Sequence, residues 1–331
     1  MKGFVMKMFK KLWVRIISIV AAAVLVLTFL FYGPLSFFRD TWITSAQMSF
    51  RTQWLAKLFY SQDTIDRVMG KNTVLSLGEN TDPSLINISY NISGSEPIEL
   101  IKIKTLGYRG YLLKVSDPSL VSLALTSKWK NDGSGEGRLI LDMLKDYNAV
   151  AGINASGFKD KLGHSMGGAL SGTIMAKGEL LFIEGSDQYF ENIIGMTEEG
   201  RLLLGNYTRE ELKTNGIVDA MSFFPALIVN GKTAQILGDG GWGLAPRTAI
   251  GQCADGTFLL LVIDGRQISS FGATMRDIQK IMLEHGAVNA VNLDGGASSV
   301  LAYKGKIVNY PCSSKTGRYL PNAFIVKNPE N

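Results

Sequence analysis

The chain has 331 residues, 46% of them hydrophobic, with 36 Gly and 9 Pro, enough for one large globular domain or two ordinary ones. Its net charge of +5 sits in the first fifteen residues, where Lys2, Lys7, Lys10, Lys11 and Arg15 precede any acidic residue; the rest balances 29 Asp and Glu against an equal number of Lys and Arg. A nucleic-acid-binding domain carries a basic excess on its folded part, so that class of partner is excluded.

Behind the basic cluster, Ile16 to Tyr32 is a nearly unbroken apolar run flanked by Trp13 and Tyr32. Its length is at the lower edge of a bilayer span, the two aromatics suit the interfaces, and the basic flank predicts a cytoplasmic N-terminus. The reading is an uncleaved single-pass anchor over residues 1–38, with everything after Gly33-Pro34 outside the cytoplasm. A signal peptide cleaved near Thr44-Ser45-Ala46 is the rival. Residues 39–97 read as one juxtamembrane helix over Thr41 to Met69 and then a polar linker. The two cysteines, Cys253 and Cys312, leave a disulfide and two separate thiols equally open.

From Ile98 to the end the pattern is that of an α+β domain with a mixed β-sheet and few packed helices. Strands IELIKIKT and YRGYLLKV come first, then a helix over Arg138 to Tyr147 and a short buried strand ending at Asn154. Short strands with Gly turns fill the middle, and Asn230-Gly231 is a hairpin signal. A near-continuous apolar strand, Thr257 to Ile263, ends at Asp264-Gly-Arg266. A helix over Met275 to His285 follows, with Thr274 as N-cap and Asp277 three residues on. Strand Val288 to Leu293 ends at Asp294-Gly-Gly296. Strand, helix, strand at this spacing reads as a parallel crossover, which places Asp264 and Asp294 on one sheet edge, roughly 5–10 Å apart according to whether their strands are neighbours or one strand intervenes.

Four loops put a polar residue beside small ones at a strand end: Asn154-Ala-Ser-Gly157, Pro246-Arg247-Thr248, Asp264-Gly-Arg266 and Asn292-Leu-Asp294-Gly-Gly296. Two glycines after a buried strand permit close approach of a ligand, and Ala297, Ser298 and Ser299 follow them with N–H groups and hydroxyls. Arg247 and Arg266 have the fork that suits phosphate. Two further motifs are weaker. Gly163-His-Ser165-Met-Gly167 has the nucleophile-elbow spacing but lacks the strand before it and the helix after it, although His164 in that loop is a candidate pocket residue. Gly238-Asp-Gly240-Gly-Trp-Gly243 has dinucleotide-loop spacing but no helix to open, so it reads as a glycine-rich lid whose Trp242 can stack on a sugar. His, Cys and carboxylates never fall at metal spacing, and the sequence calls for neither a metal nor a cofactor.

From about Leu139 to Val326, the segments INASGF, FPALIVNGK, PRTAIG, LLLVIDGR, AVNLDGGASS and PNAFIV, in that order and with Arg318, resemble the phosphodiester glycosidase family. The resemblance implies hydrolysis of a sugar joined through its anomeric carbon to a phosphodiester, in cell-surface or exopolysaccharide metabolism. In that setting Asp294 and Asp264 are the catalytic carboxylates. Arg247, Arg266, Asn154, Gly295, Gly296, Ser298 and His164 hold sugar or phosphate. The family has Gly-Gly where this chain has Ala155-Ser156, a change at the pocket wall. A membrane-tethered glycan-binding factor using the same pocket is the non-catalytic alternative.

Overall fold

The structure, a computed structural model, describes residues 2–329 except 35, 49–51, 89–96, 127–134, 160–166 and 169. The loop with His164 and Ser165 lies outside the described residues. The helices are α1 (Lys2–Tyr32), α2 (Ser36–Gln47), α3 (Gln53–Phe59), α4 (Gln62–Lys71), α5 (Ile140–Asp146), α6 (Arg209–Thr214) and α7 (Met275–Glu284). The first strands are β1 (Thr73–Val74), β2 (Ile98–Lys104), β3 (Arg109–Val115), β4 (Val121–Leu125), β5 (Ala149–Asn154), β6 (Ile174–Ala176) and β7 (Glu179–Phe182). Then come β8 (Tyr189–Thr197), β9 (Leu202–Thr208), β10 (Ile217–Ser222), β11 (Ala226–Val229), β12 (Lys232–Thr233) and β13 (Ile236–Leu237). The last are β14 (Arg247–Cys253), β15 (Phe258–Ile263), β16 (Ala287–Leu293), β17 (Leu301–Tyr303), β18 (Lys306–Ile307) and β19 (Asn322–Lys327).

A seven-stranded sheet, β12-β11-β16-β14-β15-β3-β2, carries the site; five-stranded sheets β18-β17-β5-β19-β4 and β7-β6-β10-β8-β9 complete the domain. In β15 every residue is buried because both faces are covered. Phe258, Leu260 and Val262 enter the core shared with the other sheets, while Leu259, Leu261 and Ile263 pack with Ile278 and Met282 of α7. Such two-sided burial produces a continuous apolar run instead of an alternating one. On the far side, Met143 and Leu144 of α5 cover Ala124, Ala323 and Ile325. The order of layers is therefore α7, sheet, sheet, α5.

The α+β reading holds, and of the two strand orders the sequence allows for the crossover, adjacent strands or one strand between them, the structure has the second. Every pairing among the described residues is antiparallel. β15 and β16 do run in the same direction around the α7 crossover, and antiparallel β14 fills the place between them. Helix α7 starts as expected, with Thr274 and Asp277 forming a reciprocal capping box, a device worth about 1 kcal/mol.

The expected single juxtamembrane helix is instead three short ones, α2, α3 and α4, whose Ile43, Ala46, Ala56, Ile65 and Val68 make a small core of their own. The polar stretch that follows is tied down: Thr81 N donates to Leu204 O, and Asn80 Nδ2 to Asn206 O. Both cysteines are free thiols. Cys253 closes β14 while Cys312 lies against Gly296 at the opposite sheet edge, so they do not meet.

Candidate active site

The register brings the site together. Arg247, first residue of β14, pairs with Ile263, and Thr248 pairs with Leu293. Asp264 and Asp294, one residue beyond these partners, flank Arg247 on one edge with their α-carbons two strand spacings apart, about 10 Å. The backbone is crowded here. A Cβ on Gly265 would stand 2.6 Å from Pro246 N, one on Gly295 2.8 Å from Pro246 O, and one on Gly272 2.5 Å from Ala245 C. Ala245–Pro246 is thus threaded between three loops that tolerate no side chain at their points of contact.

Asp264 is 3% exposed. Its Oδ1 accepts from Asn309 Nδ2 (3.0 Å) and from Tyr310 N (2.8 Å), so both donors engage the same oxygen. Burial raises its pKa, and the two hydrogen bonds and Arg109 only partly oppose this. Asp294 is half-buried at the start of the diglycine. Its backbone is pinned on both sides, N–H to Ala155 O (3.1 Å) and carbonyl to Asn154 Nδ2 (2.6 Å).

Asn154 is completely buried, and its Oδ1 accepts from Thr248 Oγ1 (2.8 Å) and Val300 N (3.1 Å). With all three partners supplied by protein, it acts as a clamp on the Asp294 turn. Ser298 is buried with its N–H on Gly295 O, and Gly296 N donates to Pro246 O. Much of the backbone donor capacity after Asp294 is therefore spent in shaping the turn.

The two arginines converge on the diglycine. Arg247 is 2% exposed, with Nε donating to Ala273 O (3.0 Å) and Nη2 to the carbonyls of Trp242 and Gly243. Its Nη1 lies 3.9 Å from the Cβ position of Gly295. The Arg266 side chain is exposed, on a backbone with φ of 58°, and its Nη2 lies 3.4 Å from the Cβ position of Gly296. Among the described residues neither arginine forms an ion pair with a carboxylate. Burial, then the Arg266 charge, pull Arg247 down to about 9, against a smaller opposing pull from Asp239 and Asp277. A buried cation beside a second cation, with no ion-paired carboxylate among the described residues, is a setting that favours an anion electrostatically.

An aromatic wall adjoins it. Trp242 stacks on Arg247 (5.8 Å) and meets Phe224 edge-on (5.6 Å) and Phe223 (6.5 Å). Asn292 fixes the Phe224–Pro225 backbone: its N–H donates to Pro225 O and its Nδ2 to Phe224 O. Behind the wall, a cavity of about 500 Å³ is lined by Gly157, Ser171, Glu184, Tyr189, Ser222 and Phe224 among others. Asn292 Oδ1, Ser299 Oγ and Asn322 Nδ2 are buried without a hydrogen-bond partner among the described residues, as polar atoms awaiting water or ligand are. Among the described residues no three His, Cys, Asp or Glu are placed to hold a metal.

Sequence reasoning missed Asn309, Asn322 and the Phe224 half of the wall. Asn309 follows the β17–β18 hairpin in an undistinguished stretch and is noticed only because it reaches Asp264 in space.

Known proteins resemble this chain in sequence and in fold. Residues 147–327 match the phosphodiester glycosidase family. The SPbeta prophage-derived protein YomE of Bacillus subtilis is 30% identical over 182 residues, 54% of this chain and 28% of its own. The bovine N-acetylglucosamine-1-phosphodiester alpha-N-acetylglucosaminidase is 27% identical over 175 residues, covering 48% of this chain and 32% of the relative. The chain thus spans about a third or less of the length of either relative. The catalytic domain of the zebrafish enzyme of that name, solved auto-inhibited by its pro-peptide, shares the fold, with a TM-score of 0.61 at 19% identity over 76% of this chain and 88% of that one. The match covers more than half of the residues and includes every strand of the site's edge, and the chain belongs to the phosphodiester glycosidase family.

Proposed function

We propose that this chain hydrolyses a glycosyl phosphodiester at the C1–O bond, outside the cytoplasm and tethered by α1, in cell-surface or exopolysaccharide metabolism. The observation that carries the reading is the pair of guanidinium groups converging on Gly295–Gly296 between two carboxylates. Arg247 and Arg266 bind the phosphate and stabilise the charge that builds on it as the bond breaks. Asp264, with its raised pKa and one oxygen without a donor among the described residues, is suited to hold and deliver a proton. Asp294 serves as nucleophile or as base toward water. Water's oxygen ends on C1 and the bonding pair leaves with the phosphate, giving free sugar and a phosphomonoester. Trp242 and Phe224 offer flat faces to a sugar ring. In domain terms, residues 1–38 are tail and anchor, 39–97 the juxtamembrane unit, and 98–331 the glycosidase-like domain.

The test is full-length protein in detergent, wild type and Asp294→Asn, on a panel of glycosyl phosphodiesters including UDP-sugars and alkyl glycosyl phosphates. Sugar release by the wild type alone, with both proteins folded, supports the reading. Saturable glycan binding without turnover by either would replace it with a tethered binding protein.

A further inference from the structure

Helix α1 contains a 23-residue stretch, Lys10–Tyr32, long and apolar enough to cross a membrane and unburied in the protein. Its C-terminal end does not float free. Tyr32 Oη donates to Phe59 O and Tyr60 Oη to Phe31 O, each at 2.8 Å, and Phe31 packs on Trp42, Phe59 and Tyr60. This aromatic knot fixes α2 and α3 at the end of the span, where Trp and Tyr favour the membrane–water interface. Beside it, Phe37 (70%), Trp54 (59%) and Leu58 (64%) are exposed. Trp54 and Leu58 stand four apart on α3 and so share one face.

Helix α2 then reaches the site. Ser45 Oγ accepts from Leu244 N (2.9 Å), Thr44 Oγ1 donates to Asp239 Oδ2, and a Cβ on Gly243 would collide with Ser45. Gly243 is the residue whose carbonyl holds Arg247. From Ser36 to Ser45 the helix rises at most about 14 Å, whichever way it leans.

The same edge continues as an apolar rim. Ala245 and Ala273 exchange backbone bonds, which places Leu244 next to the Arg266 loop. That loop bears exposed Ile268 (99%) and Phe271 (59%), and Phe271 N donates to Gly107 O beside the fully exposed Leu106. An uninterrupted path of contacts thus runs from the end of the span, along α2, around both arginines, to apolar loop tips in open solvent.

We infer that this rim and the exposed faces of α2 and α3 rest on the outer bilayer interface, and that the substrate is a glycosyl phosphodiester whose aglycone is a lipid of that bilayer. The substrate half rests on the hydrolase reading above. The phosphate would lie at headgroup level between Arg247 and Arg266, and hydrolysis would leave a lipid phosphomonoester in the membrane while the sugar departs. Continuity with α1 selects lipid over a protein partner as the occupant: the apolar face begins where the span ends.

The test uses full-length protein in phosphatidylethanolamine–phosphatidylglycerol vesicles. A carbene-generating phospholipid should label residues 37–38, 54–58 and 268–271 as well as 10–32; labelling confined to 10–32, or absent, overturns the docking face. Methyl and tetradecyl glycosyl phosphates are then compared in the same vesicles. The tetradecyl compound should have a kcat/KM higher by about tenfold or more. Leu106→Ser with Ile268→Ser should collapse that preference while leaving methyl-substrate turnover unchanged. Equal rates for the two substrates overturn the lipid assignment. If the wild type cleaves neither, the hydrolase reading fails and takes the substrate with it, while the labelling still decides the face.

Discussion

At the Cys253 end of β14, Gln252 is wholly buried and completely served: Leu202 N donates to its Oε1 (2.7 Å), and its Nε2 donates to Gly200 O and Gly256 O. At the Arg247 end, five residues away, a buried guanidinium has backbone carbonyls for partners but no ion-paired carboxylate among the described residues, and a second guanidinium stands near it. The first is how a fold makes a buried polar group tolerable. The second leaves a charge opposed, among the described residues, only by the weaker pull of Asp239 and Asp277, the setting in which the proposed phosphate would bind. One strand therefore contrasts polarity that joins sheets with polarity that the proposed function assigns to a ligand.

Substitutions at the two ends should separate cleanly. The largest effect is expected from Asp294→Asn, with kcat lower by about 10³-fold and the thermal midpoint little changed, measured as sugar release and as melting of the same preparation. Arg247→Gln should cost about 10²-fold in kcat/KM. It should also abolish stabilisation by inorganic phosphate, which for wild type is about 2.7 kcal/mol at a hundredfold excess over Kd. A phosphate effect that survives this change would remove Arg247 from the anion site. Gln252→Ala should do the reverse, losing about 2–3 kcal/mol in denaturant because three backbone groups lose their partners, with kcat untouched. An activity loss there larger than the folded fraction explains would erase the contrast.

The smallest effect concerns pH. Burial raises the Asp264 pKa above its ordinary 3.8, so the unfolded chain ionises first. The stability linked to this group is intact below 3.8 and lost as pH climbs through the higher folded value. Asp264→Asn should flatten the melting temperature over that acid range; an unchanged slope would mean Asp264 is not the group responsible.

Much of this was legible in the chain. The apolar run into Asp264 and the run into Asp294 marked both strands, and Thr274 with Asp277 marked the helix between them, because two-sided burial and helix capping leave local signatures. A strand between β15 and β16 was one of two arrangements the sequence allowed, but that the strand would be β14 was not legible: which strands become neighbours is decided by long-range packing. Local composition likewise gave no hint that Thr41 to Met69 folds as three helices. Asn154 was found by position, yet its work is to hold Asp294 and Thr248, which only the meeting of β5 with β14 and β16 reveals. Asn309 lies in a segment with no pattern of its own, and Asn322 stood out only as part of PNAFIV, so the partners of both could be seen only in space.

Asn154 stands on one sheet and grips the other: it leaves β5 and fastens β14 and the exit of β16. The seating of the Asp294 turn thus depends on how the two sheets meet, because Asn154 and Ala155 reach across from one to hold it on the other. Loosening that seating would spoil the geometry before any strand unravels. A compact, swollen state with intact secondary structure should therefore already be inactive, and loss of turnover should be the earliest sign that the layers have begun to part.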